Sequence, residues 1–346
     1  MRSDRSVFAG ECVDRKSIIA VPVKLMVRRA HRRVSLLVVL ICFAPQAIAT
    51  ATGSRPFVIR FKPYDSNKAL PLIPPSAPSA LTRRHCVWRV ANVSVPFYLV
   101  GTIHNLRAGD YPLPEVYRRA LNDSKRLLFE YNPKERAGYE KKFRAAGQYP
   151  EGKDIRSSIR PETLALLHRN SNMFRLRFDE LSKYKPWALA FRLWSIKGYA
   201  AATQRYGVDG YLSYQAQRLG KEVAGLESVD EHVAFWENVL ALDGESLLLT
   251  SMAGRNQPNE GFEQTRDAWK RGDVAALSAT NANLRNANSR TAQGLLDRRN
   301  VRWLPQIEAE MKTGKPTAIV AGAAHFSGPH SVVDLLQKRG YKIEQL

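Results

Sequence analysis

The stretch Tyr98-Leu99-Val100-Gly101-Thr102-Ile103-His104 decides the fold that this sequence predicts. Apolar residues lead into a glycine, and a histidine follows three positions later. The pattern is typical of a short buried strand that ends in a turn and places a histidine in the next loop. It recurs at Thr317-Ala318-Ile319-Val320-Ala321-Gly322-Ala323-Ala324-His325. Because ligands of open α/β sheets bind outside the carboxyl ends of the strands, we expect His104 and His325 to share one site.

A strand–helix–strand unit includes the first of these motifs. Residues 113–121 have apolar side chains at helical spacing around a proline, and residues 126–130 read as a strand that ends in Glu130. The strands of such a unit are parallel, and their connection is right-handed. Glu130 is therefore expected at the same sheet edge as His104.

Further strands are predicted at residues 86–90, 221–227 and 341–344, and the second of them ends in Glu227. Each half of the chain thus has one strand that ends in glutamate and one that leads to Gly-x-x-His, which predicts two pseudo-repeat halves. The predicted fold class is α/β, with a central mixed, mostly parallel sheet flanked by helices. A helical insertion is expected at about residues 134–205, where strand alternation is absent.

The N-terminal residues read as a secretory leader. Arginines within residues 28–33 precede the apolar run 35–44, and Ala47-Ile48-Ala49 supplies the small residues of a cleavage site. The pattern predicts a signal peptide that is cut after Ala49. The apolar run is shorter than the ~18 residues expected of a membrane-spanning helix. An uncleaved anchor and lipidation at Cys42 are the alternatives.

The predicted organisation is a leader over residues 1–49, a proline-rich lead-in over 50–84 and one α/β domain over 85–346. The leader pattern begins late, at Met26, so either translation starts there or the natural leader is long. In both cases the expected location is the periplasm or the outside of the cell. Cys86 is then the single cysteine of the mature chain, which excludes an internal disulfide.

The chain is strongly basic, with a formal net charge of +21. Residues 1–49 account for +6 of this, which leaves about +15 on the mature chain. Such a charge favours contact with anionic partners, such as acidic polysaccharide or a membrane surface. The basic residues are scattered and no nucleic-acid motif occurs, so specific nucleic-acid binding is not expected. A solvated basic surface is the simpler interpretation.

Histidines and glutamates at strand ends suit two kinds of chemistry. Imidazole and carboxylate groups bind Zn, Mn, Co or Fe and leave positions open for water and substrate. Without a metal, the same groups serve as general base and acid. The sequence has no nucleophile elbow, Walker loop, dinucleotide-binding glycine pattern or HExxH, which argues against those enzyme classes. His85, His168 and His232 have no comparable setting and are expected to be structural.

Short motifs follow one another in a fixed order across residues 88–346. Besides the two Gly-x-x-His stretches, they are Trp88-Arg89-Val90, Tyr111-Pro112-Leu113-Pro114, Leu127-Leu128-Phe129-Glu130, Lys185-Pro186-Trp187, Gly207-Val208-Asp209, Gly220-Lys221-Glu222-Val223-Ala224-Gly225-Leu226-Glu227-Ser228 and Asp297-Arg298-Arg299-Asn300. In this order they resemble the TraB/GumN family. That family is related to the TIKI metalloproteases and, more distantly, to the haem-binding ChaN-like and the erythromycin-esterase-like proteins.

The resemblance implies an α/β fold and a site made of the two Gly-x-x-His motifs and a glutamate. By position, His104, Glu130 and His325 are the implied catalytic residues. They are also the implied ligands of a divalent metal (Mn, Co or Zn), since TIKI-like members cleave peptides in a Mn- or Co-dependent way. Arg299 and Asn300 match another characteristic pair, which would orient ligands or substrate; helix packing is the alternative.

For two further residues, two roles remain as alternatives. Glu227 matches a family position and is expected either to line the site or to be structural. His330, which follows the second motif, is either a third imidazole near the site or a surface residue at a helix start.

The sequence therefore predicts an exported metal-dependent hydrolase, of the peptidase type, that activates water against a peptide or small-molecule substrate. The alternatives are a non-catalytic haem- or ligand-binding protein and an accessory protein for exported polysaccharide, both with the same fold.

Overall fold

The computed structural model describes residues 84–173, 176–196, 206–253, 260–287 and 289–346. The predicted leader with its cleavage site, and all of the predicted lead-in except Arg84, lie outside the described residues. Among the helices that are described, none is both long and apolar enough to cross a membrane.

Six strands form one mixed sheet in the part of the chain that the structure describes. They are β1 (Val87–Val90), β2 (Phe97–Thr102), β3 (Arg126–Tyr131), β4 (Glu222–Glu227), β5 (Thr317–Gly322) and β6 (Ile343–Gln345). Their order across the sheet is β4-β3-β5-β2-β1-β6. Strands β2 to β5 are parallel, whereas β1 is antiparallel to both of its neighbours. The predicted α/β fold with a mixed, mostly parallel sheet is confirmed.

The two strands that lead to Gly-x-x-His lie side by side near the middle of the sheet. Thr102 is paired with Gly322 at the carboxyl end of β2 and β5. On its other side β5 pairs with β3, so the strand that carries Glu130 is next to it. All six residues of β2 are buried, as expected for a parallel strand that is covered on both faces.

Eleven α-helices of six or more residues occur within the described ranges. They are α1 (Glu115–Asp123), α2 (Arg136–Ala146), α3 (Pro161–Met173), α4 (Pro186–Ile196), α5 (Val208–Arg218), α6 (Val229–Leu240), α7 (Gly244–Ala253), α8 (Glu260–Arg271), α9 (Val274–Ala287), α10 (Arg298–Lys312) and α11 (Val332–Gln337). A π-helical turn at Gln293–Asp297 leads directly into α10. Helix α5 is followed by Gly220 with a φ of 64°, a left-handed conformation that glycine adopts without steric cost.

Two apolar clusters hold the elements together. The first surrounds the sheet and includes Leu99, Ile319 and Trp303. The second is formed by helices that follow β3 and β4, and it includes Phe143 and Trp187. Between β3 and α5 the described residues form helices and no strand, apart from one isolated bridge. The insertion bounds and the pseudo-repeat stay predictions, since residues 197–205 lie outside the described part and the sheet order does not test duplication.

The central strand β2 should be the most sensitive part of the fold to loss of apolar volume. Leu99 is fully buried there, so Leu99→Ala is expected to lower the free energy of unfolding by about 2–5 kcal/mol. Urea unfolding followed by circular dichroism measures the change. Leu219→Ala is the matched control, because Leu219 is 55% exposed and its truncation should change stability by about 0.5 kcal/mol or less. Equal losses in both variants would contradict the assignment of β2 to the core.

Candidate functional site

The first Gly-x-x-His motif places His104 two residues after the end of β2. Its Nδ1 lies 2.9 Å from Oδ1 of Asp209, in the first turn of α5. A carboxylate only accepts hydrogen bonds, so Nδ1 carries the proton when the ring is neutral. The backbone also ties the two segments together, because Val208 N–H donates to the carbonyl of Ile103 at 3.0 Å. The orientation of the His104 ring is therefore set by α5.

Glu130 and Gly322 form the second part of the site. Gly322 N–H donates to Oε1 of Glu130 at 3.0 Å. A Cβ placed on Gly322 would lie 3.4 Å from Nε2 of His104, 3.7 Å from Oε1 of Glu130 and 3.9 Å from Cδ2 of His325. The three predicted catalytic side chains thus converge on one point beside Gly322. We call the space at this point the Gly322 cradle.

His325 is held by the helix that follows the π-helical turn. Its Nδ1 lies 2.7 Å from Oδ1 of Asn300, whose amide nitrogen donates to the carbonyl of His330 at 2.9 Å. The amide oxygen of Asn300 is thereby the acceptor, so Nδ1 of His325 carries the proton. Nε2 of His325 faces Arg299, with Nη1 3.3 Å away. The exposed His330 contributes its backbone carbonyl to this arrangement, and its side chain is not among the groups that line the site.

Arg299 is the hub of a buried ionic network. Its Nη2 donates to Oε2 of Glu130 at 2.7 Å, and its Nε donates to Oε1 of Glu227 at 2.7 Å. The guanidinium carbon lies 4.7 Å from the ring centre of Phe235 and 4.8 Å from that of Trp303. Cations over aromatic faces are stabilised by the ring quadrupole, most strongly where water is excluded. We call Arg299, Glu130 and Glu227 the Arg299 network.

Glu227 anchors the far side of this network. Besides Arg299, it accepts hydrogen bonds from the indole N–H of Trp303 at 2.8 Å and from Nδ1 of His232 at 2.9 Å. His232, which the sequence places among the structural histidines, is fully buried in α6 beside this carboxylate. Glu227 thus supports the site from behind, since it is not among the residues that line the pocket.

The two motif histidines have opposite electrostatic settings. Burial lowers the pKa of His104, but the charge and hydrogen bond of Asp209, together with Glu130, outweigh it, so the pKa is raised. For His325, burial is the largest effect, and Arg299 adds to it against the attraction of Glu130. The pKa of His325 falls to about 3. His325 is therefore neutral at neutral pH, whereas His104 holds a proton more readily.

Both glutamates of the network are ionised. Burial raises their pKa values, but the charge of Arg299 is the main opposing effect and prevails. The pKa of Glu227 falls to about 2, and that of Glu130 is held well below its usual range. In turn, burial lowers the pKa of Arg299, but Glu227 and Glu130 raise it by more. The network therefore contains two carboxylates and one permanent cation.

A pocket with an open mouth lies over the cradle. Its reactive end is formed by His104, Glu130, Arg299, Gly322 and His325. The remaining lining groups are neutral. They are Thr102, Ile103, Trp236, Thr265, Trp269, Leu277, Thr280, Asn281, Leu295, Ala323 and Ala324. The pocket lies at the carboxyl end of β2 and β5, the place where α/β sheets bind ligands.

The groups around the cradle meet only part of what a divalent metal requires. Nε2 of His104 and Oε1 of Glu130 both face the Gly322 cradle, and imidazole with carboxylate suits Zn, Mn and Co. His325 differs, because its Nε2 lone pair is directed at Arg299. Within the described ranges, no group of three or more His, Cys, Asp or Glu side chains is arranged to hold a metal. Two of the three predicted ligands thus fit a metal, and the third is engaged by the guanidinium.

The structure brings together all six residues that the sequence singled out. His104, Glu130 and His325 surround the cradle, and Arg299, Asn300 and Glu227 hold them from one side. Their catalytic and metal-binding roles stay predictions.

Sequence reasoning missed two supports of the site. Asp209 belongs to the motif Gly207-Val208-Asp209, to which the sequence assigns no role, and its acidic side chain in a first helical turn is the available signal. Trp303 lies one helical turn after Arg299, but the spacing alone gave no reason to connect its indole with Glu227.

The sequence profile of the TraB/PrgY/gumN family matches residues 86–345. Two curated proteins of Danio rerio are similar to the chain. Metalloprotease TIKI2 is 24% identical over 72% of this chain and 58% of its own length. Metalloprotease TIKI1 is 25% identical over 72% of this chain and 60% of its own length. The match therefore spans less than two thirds of these relatives, and no solved structure matches the chain.

Removal of the central cation should damage the fold. Arg299→Ala would leave Glu130 and Glu227 buried without their shared partner, which typically costs about 3–5 kcal/mol. The free energy of unfolding from urea titration measures the loss. Arg298→Ala is the matched control at the adjacent exposed position, where we expect a change of about 0.5 kcal/mol or less. Similar stability of the two variants would contradict the buried network.

The depressed pKa of Glu227 also predicts a pH dependence. Its ordinary value is 4.5 and its folded value is about 2. The stability that it contributes is therefore complete above about pH 4.5 and is lost as the pH falls towards 2. In Glu227→Gln, the slope of unfolding free energy against pH in this window should be shallower by up to about 1.4 kcal/mol per pH unit. The exposed Glu135→Gln is the control, and identical slopes in both variants would contradict the assignment.

Proposed function

Since this chain belongs to the TraB/PrgY/gumN family over residues 86–345, we propose that it is a metal-dependent hydrolase that cleaves peptide bonds. The observation that carries the proposal is the convergence of His104 Nε2 and Glu130 Oε1 on the Gly322 cradle, at the wall of a pocket. The similarity to two proteins named metalloproteases supports the reaction class.

His104 and Glu130 would hold the divalent metal. When bound, such a metal lowers the pKa of a water molecule on it and polarises the carbonyl of the substrate. Asp209 faces Nδ1 of His104 and orients the ring so that Nε2 lies beside the cradle. Gly322 N–H holds Oε1 of Glu130 in place from the end of β5. These contacts fix both donors before a ligand arrives.

Arg299 supplies positive charge next to the reacting bond. It lines the pocket, stays protonated at any pH of interest, and is fixed by Glu227 and by two aromatic faces. When water adds to a carbonyl, negative charge develops on the oxygen, and a fixed cation nearby stabilises that charge. His325 would join the metal as a third donor only by exchanging its contact with Arg299 for one with the ion.

The proposed setting is the periplasm or the outside of the cell, which follows from the leader pattern before Ala49. The residues after Ala49 carry a net charge of about +15. This charge favours contact with an anionic surface, such as acidic polysaccharide or a membrane. The substrate itself is proposed to be a peptide.

Two substitutions test the proposal at the cradle. His104→Ala removes one donor. Gly322→Ala places a methyl group where both donors converge, and its contacts of 3.4 Å or more and its φ of −52° are compatible with folding. Wild type is expected to bind about one Mn, Co or Zn ion per chain and to cleave peptides. Both variants should lose at least about 100-fold in activity and bind metal more weakly.

Metal content by mass spectrometry and cleavage of a peptide library by the mature protein give the two readouts. His168→Ala is the control, because His168 is exposed on α3, and it should behave as wild type. Cleavage that persists unchanged in His104→Ala, or no metal uptake by wild type, would overturn the proposal. A Soret band with added haem, or salt-sensitive binding of acidic polysaccharide without cleavage, would instead favour the non-catalytic alternatives.

A further inference from the structure

We infer that the pocket over the Gly322 cradle accepts a neutral, apolar side chain next to the bond that is cut and rejects charged ones. The inference rests on the proposed function and adds the substrate class. It concerns the wall of the pocket that faces the reactive end. That wall is built by α6, α8, α9 and the π-helical turn.

The apolar part of the wall comes from three helices, the π-helical turn and the residue that follows β2. Trp269 and Leu277 project from α8 and α9, and both are buried. Trp236 of α6, Leu295 of the π-helical turn and Ile103 complete it. A surface made of two indole rings and three aliphatic side chains gains free energy by removing apolar substrate surface from water.

Three polar side chains of the wall donate hydrogen bonds to the protein's own backbone. The indole N–H of Trp269 donates to the carbonyl of Gly101 at 2.8 Å. The amide nitrogen of Asn281 donates to the carbonyls of Ala324 and Ser327 at 3.0 and 2.9 Å. The Thr280 hydroxyl donates to its own helix, to the carbonyl of Ala276 at 3.1 Å. These donors are thus engaged before a substrate enters.

The charges at the reactive end are also engaged with one another. Arg299 is shared by Glu130 and Glu227, and His104 is bonded to Asp209. Among the described residues that line the pocket, no further Asp, Glu, Lys or Arg is present. A charged substrate side chain would therefore lose its hydration and meet only charges that are already paired with one another, which is costly.

Position 280 offers a way to reverse this preference. Leu277, Thr280 and Asn281 lie on one face of α9 at helical spacing, and Thr280 is only half-buried. Thr280→Asp places a carboxylate in the wall at a site that tolerates a polar group. Ala279→Asp adds the same charge one residue earlier on the exposed face of the same helix, and is the matched control.

The test measures binding rather than cleavage. Isothermal titration calorimetry is carried out on the His104→Ala protein with acetylated, amidated tripeptides whose central residue is Leu, Phe, Asp or Lys. We expect the Leu and Phe peptides to bind at least about ten-fold more tightly than the Asp and Lys peptides. Thr280→Asp is then added to the His104→Ala protein. Compared with His104→Ala alone, the Leu peptide should bind at least about ten-fold more weakly and the Lys peptide more tightly. Adding Ala279→Asp instead should change neither affinity.

The outcome separates the two proposals. If wild type cleaves no peptide but the His104→Ala protein prefers Leu over Asp, the hydrolase proposal fails and the apolar pocket stands. If charged peptides bind as tightly as apolar ones, or no peptide binds, the inferred substrate class is wrong. Equal effects of Thr280→Asp and Ala279→Asp would also overturn it, because the charge would then act from outside the pocket.

Discussion

The site depends on one buried guanidinium that two carboxylates share. Glu130 ends a strand in the middle of the sheet, Glu227 ends the neighbouring strand, and Arg299 comes from a helix far along the chain. A lone buried carboxylate is so costly that it normally becomes protonated. Here the cation keeps both carboxylates ionised and joins β3, β4 and α10 at one edge of the sheet. The helix that follows a π-helical turn is thereby held in the position that also brings Asn300 to His325.

The glycines of the two motifs serve different physical purposes, although the motifs look alike. A Cβ on Gly101 would lie 3.0 Å from the carbonyl oxygen of Cys86 and 3.1 Å from Cα of Ala323. That glycine permits close packing of backbone segments. A Cβ on Gly322 would instead meet side-chain atoms at 3.4 Å or more and would fill the space that His104 and Glu130 face. One glycine therefore serves the fold, and the other leaves room at the site.

The two histidines likewise share a motif but not an environment. Asp209 faces His104 and raises its pKa, whereas burial beside Arg299 lowers the pKa of His325. Identical spacing in the sequence thus leads to one imidazole that is oriented by a carboxylate and one whose Nε2 is engaged by a guanidinium. The asymmetry comes from the helices, because Asp209 and Arg299 belong to α5 and α10 and not to the strands.

By itself, the sequence determined the strands, their parallel direction and the edge at which Glu130, His104 and His325 emerge. Apolar runs, glycines and prolines are local signals, and the direction of a strand–helix–strand unit follows from chain geometry. Only the tertiary structure decided that β5 lies between β2 and β3, that Asp209 orients His104, and that Arg299 pairs with both glutamates. Arg299 is 72 positions from Glu227 and 169 positions from Glu130 in the sequence, so no local sequence pattern indicates these ion pairs. They form because a buried charge is strongly destabilising unless an opposite charge lies beside it. Only the fold determines which opposite charges are close enough.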